Sequence, residues 1–231
     1  MKKEKRILLF FPNTSNRGRI TLAIPILSGI ARNRGWEVAY FDTSFYEKKE
    51  DSTIEKEKTG GFIPAPPETI PGMIPKENLI PDFQALIDKF KPDVLAITMM
   101  TCDYQYLMTF FPSTTIIIAG GIHAIFSDEE VIKSGHFDLI CNGQGEKIFD
   151  EFLSKVEKNQ KLDDIEGTLF RDKKNKQIKR NPLKRIFSAE ELWSVPLDYS
   201  FFDERYYSYP FDGKSLNMFW LEVGRGCPFN C

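Results

Sequence analysis

Two cysteines near the end of the 231-residue chain are close enough to bind one metal ion or cluster. Cys227 and Cys231 are separated by three residues and follow an apolar run, in the sequence Gly-Arg-Gly-Cys-Pro-Phe-Asn-Cys. Thiolates this close together on a loop are ligands of iron–sulfur clusters and of zinc. Redox-active and zinc-binding pairs more often have two residues between the cysteines. The spacing therefore indicates a metal or cluster site, with zinc as the alternative.

Four polar or glycine-containing segments each follow a short apolar run, and their residues suit a bound ligand. Hydroxyl groups bond phosphates or amides, methionines line flat apolar faces, and glycines let a ligand approach the backbone because no Cβ intervenes. The candidate ligand-binding residues are Thr14, Ser15, Asn16, Arg17, Gly18, Thr98, Met99, Met100, Thr101, Gly120, Gly121, His123, Gly143, Gln144, Gly145 and Glu146.

The strands and helices between these segments must position them. Up to about residue 160, short apolar runs alternate with stretches whose apolar residues recur at helical spacing. The predicted strands are Ile7–Phe11, Glu37–Phe41, Val94–Thr98, Thr115–Ala119 and Phe137–Cys141. The predicted helices are Arg19–Arg34, Phe83–Phe90, Tyr104–Phe111, Glu129–Ser134 and Glu146–Lys158. This order predicts an α/β fold with a doubly wound, five-stranded parallel sheet, in which ligands bind beyond the carboxyl ends of the strands.

Several candidate residues also have a structural interpretation. Asp103 is favoured as the N-cap of a helix, and His123 as a cap for local backbone groups. Glu146 would be a first-turn acid, which the N-terminus of a helix favours. Ligand binding is supported because small or glycine-rich loops follow the first, third, fourth and fifth strands, at one edge of the predicted sheet.

Two regions interrupt or follow the alternating pattern. Residues 47–81 are rich in charge and then in proline, which favours a solvated insertion, with a lid over the ligand as the alternative. Gly167–Arg171 and Gln177–Arg180 predict a small exposed hairpin, and Leu216–Val223 predicts the first strand of another domain. The expected organisation is a ligand-binding domain over 1–160, a hairpin and linker over 161–215, and the start of a second domain over 216–231.

The composition excludes several classes of protein. Lys and Arg number 31 against 33 Asp and Glu, for a net charge of -2, so we expect no attraction to nucleic acid or anionic lipid. The apolar run Ile7–Phe11 is too short for a signal peptide or a membrane span, which predicts a cytoplasmic protein. Four cysteines are too sparse for a disulfide framework, and Cys102 and Cys141 are interpreted as ordinary small buried residues.

Three segments carry a resemblance to a known family. They read Ala119-Gly-Gly-Ile-His-Ala-Ile-Phe126, Asp138-Leu-Ile-Cys-Asn-Gly-Gln-Gly-Glu146 and Gly224-Arg-Gly-Cys-Pro-Phe-Asn-Cys231. They resemble cobalamin-binding radical S-adenosylmethionine (SAM) proteins, in which a cobalamin domain precedes a cluster-binding barrel. The resemblance implies a flavodoxin-like, Rossmann-like domain whose candidate residues surround cobalamin. It also implies that Cys227 and Cys231 bind a [4Fe–4S] cluster whose open iron holds SAM.

The chain departs from the family's pattern in two places. The family motif Cys-x-x-x-Cys-x-x-Cys has a third cysteine that would follow Cys231, so we expect this chain not to hold a normal cluster. Other cobalamin domains carry Asp-x-His-x-x-Gly after the first strand, with a histidine that binds cobalt. The same register here reads Asn13, Ser15 and Gly18. The resemblance therefore implies cobalamin bound without a histidine ligand from the protein.

The resemblance implies a cobalamin-dependent methyltransferase as the intact enzyme. A reduced cluster would cleave SAM to a deoxyadenosyl radical, and methylcobalamin would donate a methyl group to the substrate radical. For the chain as far as Cys231 we expect cofactor binding without catalysis. Cyclisation or rearrangement with the same cofactors is one alternative, and a non-catalytic flavodoxin-like module with a vestigial cobalamin site is another. The expected partners are cobalamin, SAM and a small-molecule substrate that the sequence does not identify.

Overall fold

The computed structural model of the chain describes residues 4–13, 20–47, 72, 74–107, 110–111, 115–183, 188, 190–191, 194–211, 214–222 and 224–225. The strands are β1 (Arg6–Phe11), β2 (Glu37–Asp42), β3 (Val94–Thr98), β4 (Ile116–Gly120), β5 (Leu139–Cys141), β6 (Thr168–Arg171), β7 (Ile178–Arg180), β8 (Ser208–Phe211) and β9 (Lys214–Asn217). The helices are α1 (Ala23–Asn33), α2 (Leu79–Phe90), α3 (Thr101–Leu107), α4 (Ile122–Phe126), α5 (Asp128–Lys133), α6 (Gly145–Glu157) and α7 (Glu204–Tyr207). One 3₁₀ turn, Lys76–Asn78, precedes α2.

The main sheet has seven strands in the order β2-β1-β3-β4-β5-β6-β7. The first five in this order pair in parallel, and β6 and β7 add an antiparallel hairpin at one edge. The parallel order 2-1-3-4-5 is that of flavodoxin-like sheets, whose chain direction across the sheet reverses beside β1. The predicted α/β fold with a five-stranded parallel sheet is therefore confirmed.

Helices cover both faces of the sheet. Alternate residues of each strand point to opposite faces, so each parallel strand contributes side chains to two clusters. On β1, Ile7 and Leu9 pack in a cluster with residues of α1 and α6. Leu8 and Phe10 pack in a second cluster, with residues of α2, α3, α4 and α5. All four side chains are fully buried, and each such burial stabilises the fold by about 1.5–3 kcal/mol. This two-sided burial explains why the strands read as continuous apolar runs.

The structure adds to or changes three sequence predictions. The predicted hairpin of Gly167–Arg171 and Gln177–Arg180 forms as β6 and β7, and it also extends the main sheet, because β6 pairs with β5 through Cys141 and Thr168. The single helix predicted over Glu129–Ser134 is preceded by a separate short helix, α4, which begins directly after Gly121. The strand predicted over Leu216–Val223 is instead β9, which ends at Asn217 and pairs with β8 in a small antiparallel sheet.

The described residues that follow β7, which we call the C-terminal residues, contact α1. A Cβ added at Gly29 would overlap the carbonyl group of Pro196, so only glycine allows this approach. The Asp198 N–H donates to the Pro25 carbonyl at 2.9 Å, and the Asp198 carboxylate pairs with Arg32 at 2.7 Å. These contacts attach the residues after β7 to the helix that follows β1. None of the helices formed by the described residues has the length and apolar character that a membrane crossing requires.

Two aspartates set the register between neighbouring strands. Asp93, just before β3, accepts a hydrogen bond from the Arg6 N–H at 2.9 Å and donates its own N–H to the Arg6 carbonyl at 2.8 Å. Asp138, just before β5, accepts from the Ile117 N–H at 2.8 Å and donates to the Ile117 carbonyl at 2.9 Å. Each aspartate thus satisfies a backbone donor of the strand beside it.

Replacement of Asp138 by Asn should lower the free energy of unfolding by about 1–3 kcal/mol, because a neutral amide replaces the charge that strengthens the buried hydrogen bond from the Ile117 N–H. The variant also loses the ion pair between Asp138 and Lys173, which are 3.0 Å apart. Urea denaturation followed by circular dichroism measures the change. The matched control is Asp164→Asn, since the Asp164 side chain is 60% exposed and pairs only with Lys155 in the described structure. Equal stability of the two variants would contradict the register role of Asp138.

Candidate functional site

The carboxyl ends of β1 to β5 share one edge of the sheet, and the predicted ligand-binding loops follow four of these strands. Thr14, Ser15, Asn16, Arg17 and Gly18, after β1, lie outside the described residues. The other candidate residues, after β3, β4 and β5, are described. We call the carboxyl ends of these strands, with the loops that follow them, the carboxyl edge.

A hydrogen-bonded network joins the ends of β1 and β2. The Asn13 side-chain amide donates to the Ser44 hydroxyl at 3.0 Å, and the Thr43 hydroxyl donates to the Asn13 carbonyl at 2.9 Å. Asp42 is buried and accepts from the Ser44 N–H at 2.6 Å and from the Tyr206 hydroxyl. Burial raises the pKa of Asp42, although these hydrogen bonds oppose the shift. The sequence analysis did not identify this network, although the run Asp-Thr-Ser at the end of the second strand places three hydrogen-bonding side chains there.

The two methionines in the loop after β3 differ in their exposure to solvent. Met99 is 1% exposed and belongs to the core, whereas Met100 is 48% exposed at the carboxyl edge. Thr98 is half-buried and Thr101 is exposed. Only Met100 of the two methionines is therefore available to line an apolar surface.

Two predictions for the same loop need correction. Asp103 accepts from the Met100 N–H at 3.0 Å, but it does so from inside the first turn of α3, not from the N-cap position. Its carboxylate therefore reaches back to the residue before the helix, as the inner residue of a capping box does. Cys102 is exposed, because it lies on the solvent side of α3, and the prediction that it is buried was wrong.

The two glycines at the end of β4, Gly120 and Gly121, have different surroundings. Gly121 has φ +95°, and a Cβ there would lie 2.6 Å from the Met99 carbonyl oxygen and 2.8 Å from its nitrogen. The backbone of Met99 also bonds to this loop, through its N–H to Gly120 and its carbonyl to His123. Gly121 is therefore required by contact between two loops. At Gly120, by contrast, the described atom that an added Cβ would approach is the Cys141 Cβ, at 3.8 Å, which is ordinary contact.

His123 is buried beside this loop, and its ring packs on Tyr104 with the centroids 4.5 Å apart. Its Nε2 atom is buried and has no hydrogen-bond partner among the described residues. A buried polar atom left without a partner costs about 1–3 kcal/mol. Capping of backbone by Nε2 is therefore not observed, and this atom is the polar group at the carboxyl edge that a ligand could satisfy.

The loop after β5 is open on one side. Gly143 has φ +128°, and no atom of the residues that the structure describes lies within 4 Å of a Cβ added there. Cys141, at the end of β5, is buried as predicted, and burial together with the negative charge of Glu146 raises its pKa to about 12. A thiol with this pKa stays protonated at neutral pH, which makes Cys141 unreactive.

Glu146, in the first turn of α6, contacts the C-terminal residues of the chain. One of its carboxylate oxygens lies 2.6 Å from the Arg225 guanidinium, while the other is buried without a hydrogen-bond partner among the described residues. Arg225 also bonds to both oxygens of Glu222, at 2.7 Å each. The bonds to Glu222, followed by those to Glu146, raise the pKa of Arg225 despite its partial burial. The sequence analysis named Glu146 but missed Arg225 as its partner.

Two cavities are each lined by Glu146 and by residues that follow β7. One of about 460 Å³ is lined by residues of α1 and α6 together with Glu191, Ser194, Val195 and Pro196. The other, of about 120 Å³, is lined by residues that include Glu146, Tyr199, Leu221 and Arg225. Neither of these two cavities is lined by Met100, Gly120 or Gly121.

Cys227 and Cys231 lie outside the described residues. Within the described part of the chain, no group of three or more Cys, His, Asp or Glu side chains is placed to hold a metal ion.

The contact between Gly121 and Met99 predicts a difference between two glycines. Gly121→Ala should destabilise the protein by at least about 2 kcal/mol more than Gly143→Ala, because both positions have positive φ but only Gly121 lacks space for a Cβ. Thermal and urea unfolding of the two variants measure the difference. Equal destabilisation would mean that the loops after β3 and β4 separate without cost.

The chain has relatives among curated proteins, although no model of a known protein family matches it. It is 26% identical over 158 residues to an uncharacterized methyltransferase of Pyrococcus horikoshii, a match that covers 65% of this chain and 33% of the relative. It is 25% identical over 150 residues to 4'-phospho-dehydrooxetanocin synthase of Priestia megaterium, covering 65% of this chain and 19% of that protein. The matched region thus spans a third or less of the length of each relative.

Solved structures share the fold. The radical SAM methyltransferase TsrM from Kitasatospora setae, with cobalamin and a [4Fe–4S] cluster bound, matches 81% of this chain and 30% of its own, with a TM-score of 0.54 and 14% identity. The cobalamin-dependent SAM radical enzyme OxsB, with aqua-cobalamin bound, matches 80% of this chain and 23% of its own, with a TM-score of 0.51 and 17% identity. The resemblance indicated by the sequence motifs is confirmed: the chain is similar to cobalamin-dependent radical SAM enzymes, and most of it has the fold of a region of them.

Proposed function

We propose that the chain binds cobalamin across its carboxyl edge, as the cofactor-binding part of a radical SAM enzyme. The observation that carries the proposal is backbone at the ends of β4 and β5 that no other described residue covers. Among the described residues, a Cβ at Gly120 would meet only Cys141, at 3.8 Å, and one at Gly143 would meet nothing within 4 Å. Flat ligands bind at this edge of doubly wound sheets because the strand ends leave a crevice there.

The side chains around this backbone fit a corrin. Met100 and Ile122 are 48% and 55% exposed, next to the ends of β3 and β4. A flat, largely apolar ring that covered them would remove this apolar area from water. Cobalamin also carries amide groups, and the buried Nε2 of His123 and the hydroxyl of Thr98 supply hydrogen-bonding atoms at the same edge. The residues present therefore fit the group that the fold relatives carry.

The protein's own residues would orient the cofactor and keep water from one of its faces. Met100, Gly120, Ile122 and Gly143 would form the contact surface, and His123 would bind a peripheral polar group. The remaining candidates for cofactor contacts are Thr14, Ser15, Asn16, Arg17, Gly18, Thr101, Gln144 and Gly145. Bound cobalamin supplies a cobalt centre that can carry a methyl group.

A cobalt ligand from a protein histidine is not part of the proposal. The sequence has two histidines. The ring of His136 is stacked on Phe111, 4.4 Å away, and precedes β5 at the opposite edge of the sheet. The position that carries the cobalt-binding histidine in other cobalamin domains is Ser15 here, and His123 is assigned above to a peripheral polar group of the cofactor. We therefore propose cobalamin bound without histidine ligation from this chain.

The reaction of the whole enzyme is proposed as methyl transfer, which is supported by the methyltransferase from Pyrococcus horikoshii. Cys227 and Cys231 would be two of the three cysteine ligands of a [4Fe–4S] cluster that binds SAM. A second candidate reaction is cyclisation or rearrangement with the same cofactors, since the relative from Priestia megaterium is named as a synthase and not as a methyltransferase. The substrate-binding part of either enzyme would lie outside the matched region.

Incubation of the purified chain with hydroxocobalamin, followed by desalting, should give a protein that retains the visible absorption of the cofactor. Gly120→Leu should fill the space above the end of β4 and weaken binding by at least about tenfold. The fold should be kept, because a Cβ is tolerated at Gly120. Titration followed by absorbance measures the dissociation constant.

The matched control is Gln160→Leu, which adds the same side chain at an exposed position just after α6, at the opposite edge of the sheet. It should bind hydroxocobalamin as the parent does. A colourless parent protein after desalting would refute the proposal and favour a binding module without cobalamin. Equal loss of affinity in both variants would place the cofactor away from Gly120.

A further inference from the structure

Two motifs that are far apart in the sequence meet in the structure. Glu146 ends the Gly-Gln-Gly-Glu segment after β5, and Arg225 belongs to the Gly-Arg-Gly-Cys segment that contains Cys227. Their side chains form an ion pair at 2.6 Å. The Glu146 side chain is 6% exposed and that of Arg225 is 24% exposed, so water screens the pair only in part.

Burial makes this pair hard to separate. A carboxylate taken out of water without a compensating charge is strongly destabilising, at several kcal/mol. Glu146 lies 2.6 Å from one cation, Arg225, and its second oxygen has no hydrogen-bond partner among the described residues. Arg225 is held in turn by two bonds from its guanidinium to Glu222, which fix the plane of that group. The carboxylate of Glu146 is thus engaged by the protein itself.

The pair is the last of several contacts that attach the C-terminal residues to the sheet domain. Asp198 pairs with Arg32 of α1, and the Tyr206 hydroxyl donates to Asp42 at the end of β2. Arg225 follows these in the sequence and lies only two positions before Cys227. Because each residue of chain spans at most about 3.6 Å, two residues cover about 7 Å at most.

We propose that Glu146 is a positioning residue for the cysteine segment: through Arg225 it holds the chain that leads to Cys227 against the carboxyl edge. This inference assigns Glu146 to the cluster segment instead of to cobalamin. Its consequence for catalysis rests on the proposed function, because it would place the cluster and the cobalamin beside the same loop after β5. The pairing itself requires neither cofactor.

A nitroxide label on Cys227 tests the proposal in the protein without cofactors. Cys102→Ser and Cys231→Ser remove the other reactive thiols, and Cys141 is buried and stays unlabelled. In this background Glu146→Gln should shorten the rotational correlation time of the label, measured by electron paramagnetic resonance, by at least about threefold. Arg225→Gln, which also removes the bonds to Glu222, should have at least the same effect, and adding Glu146→Gln to it should change little because the pair is already broken. Arg225→Lys, which keeps the charge, should restore part of the restraint.

The matched control is Asp150→Asn, also on α6, which removes the charge from an ion pair of 2.9 Å with Arg34 at the end of α1. It should leave the label's mobility unchanged. Unchanged mobility in both Glu146→Gln and Arg225→Gln, in proteins that melt like the parent, would overturn the proposal.

Binding of hydroxocobalamin separates this inference from the proposed function. Glu146→Gln should bind the cofactor within about twofold of the parent, because Glu146 contacts Arg225. A loss of affinity of at least about tenfold with unchanged label mobility would make Glu146 a cofactor contact and refute the positioning role. If the parent binds no cobalamin, the proposed function fails, and the label's mobility still decides whether Glu146 restrains Cys227.

Discussion

Parallel pairing of β1 with both β2 and β3 is the constraint on which the candidate site depends. In the sheet, β2 lies on one side of β1, and β3 with the later strands lies on the other. The carboxyl ends of β1 and β3 are therefore neighbours at the point where the direction across the sheet reverses. Parallel strands also need connections that cross a face of the sheet, so the loop that leaves each parallel strand begins at the carboxyl edge. The site is therefore a consequence of topology, and its chemistry depends on which residues occupy that edge.

Local contacts then determine how open the edge is. Asp93 and Asp138 bond to the backbone of the neighbouring strand and fix where β3 and β5 begin. Gly121 allows the backbone of Met99 to approach within contact, which joins the loops after β3 and β4 into one surface. With these loops packed against each other, no other described residue fills the space beside Gly120 and Gly143 beyond ordinary contact. A rigid rim around uncovered backbone is what preorganised binding of a flat ligand requires.

The C-terminal residues change how the domain should be understood. They are connected to α1 through Gly29 and Asp198, to the end of β2 through the bond from Tyr206 to Asp42, and to the start of α6 through Glu146. Several of these contacts are buried and charged, so each requires its partner to be in place. The residues after β7 therefore form part of the packed structure around the carboxyl edge.

The sequence by itself determined the alternation of strands and helices, the parallel sheet and the set of loops at its edge, because apolar periodicity and glycine positions are local properties. It did not distinguish Met99 from Met100, or Gly120 from Gly121, since their environments arise from contact between two loops. It also could not identify Arg225 as the partner of Glu146, or the place of β6 and β7 in the main sheet. Only the tertiary structure decided these points, because they depend on pairs of residues that are distant in the chain and meet when helices and strands pack.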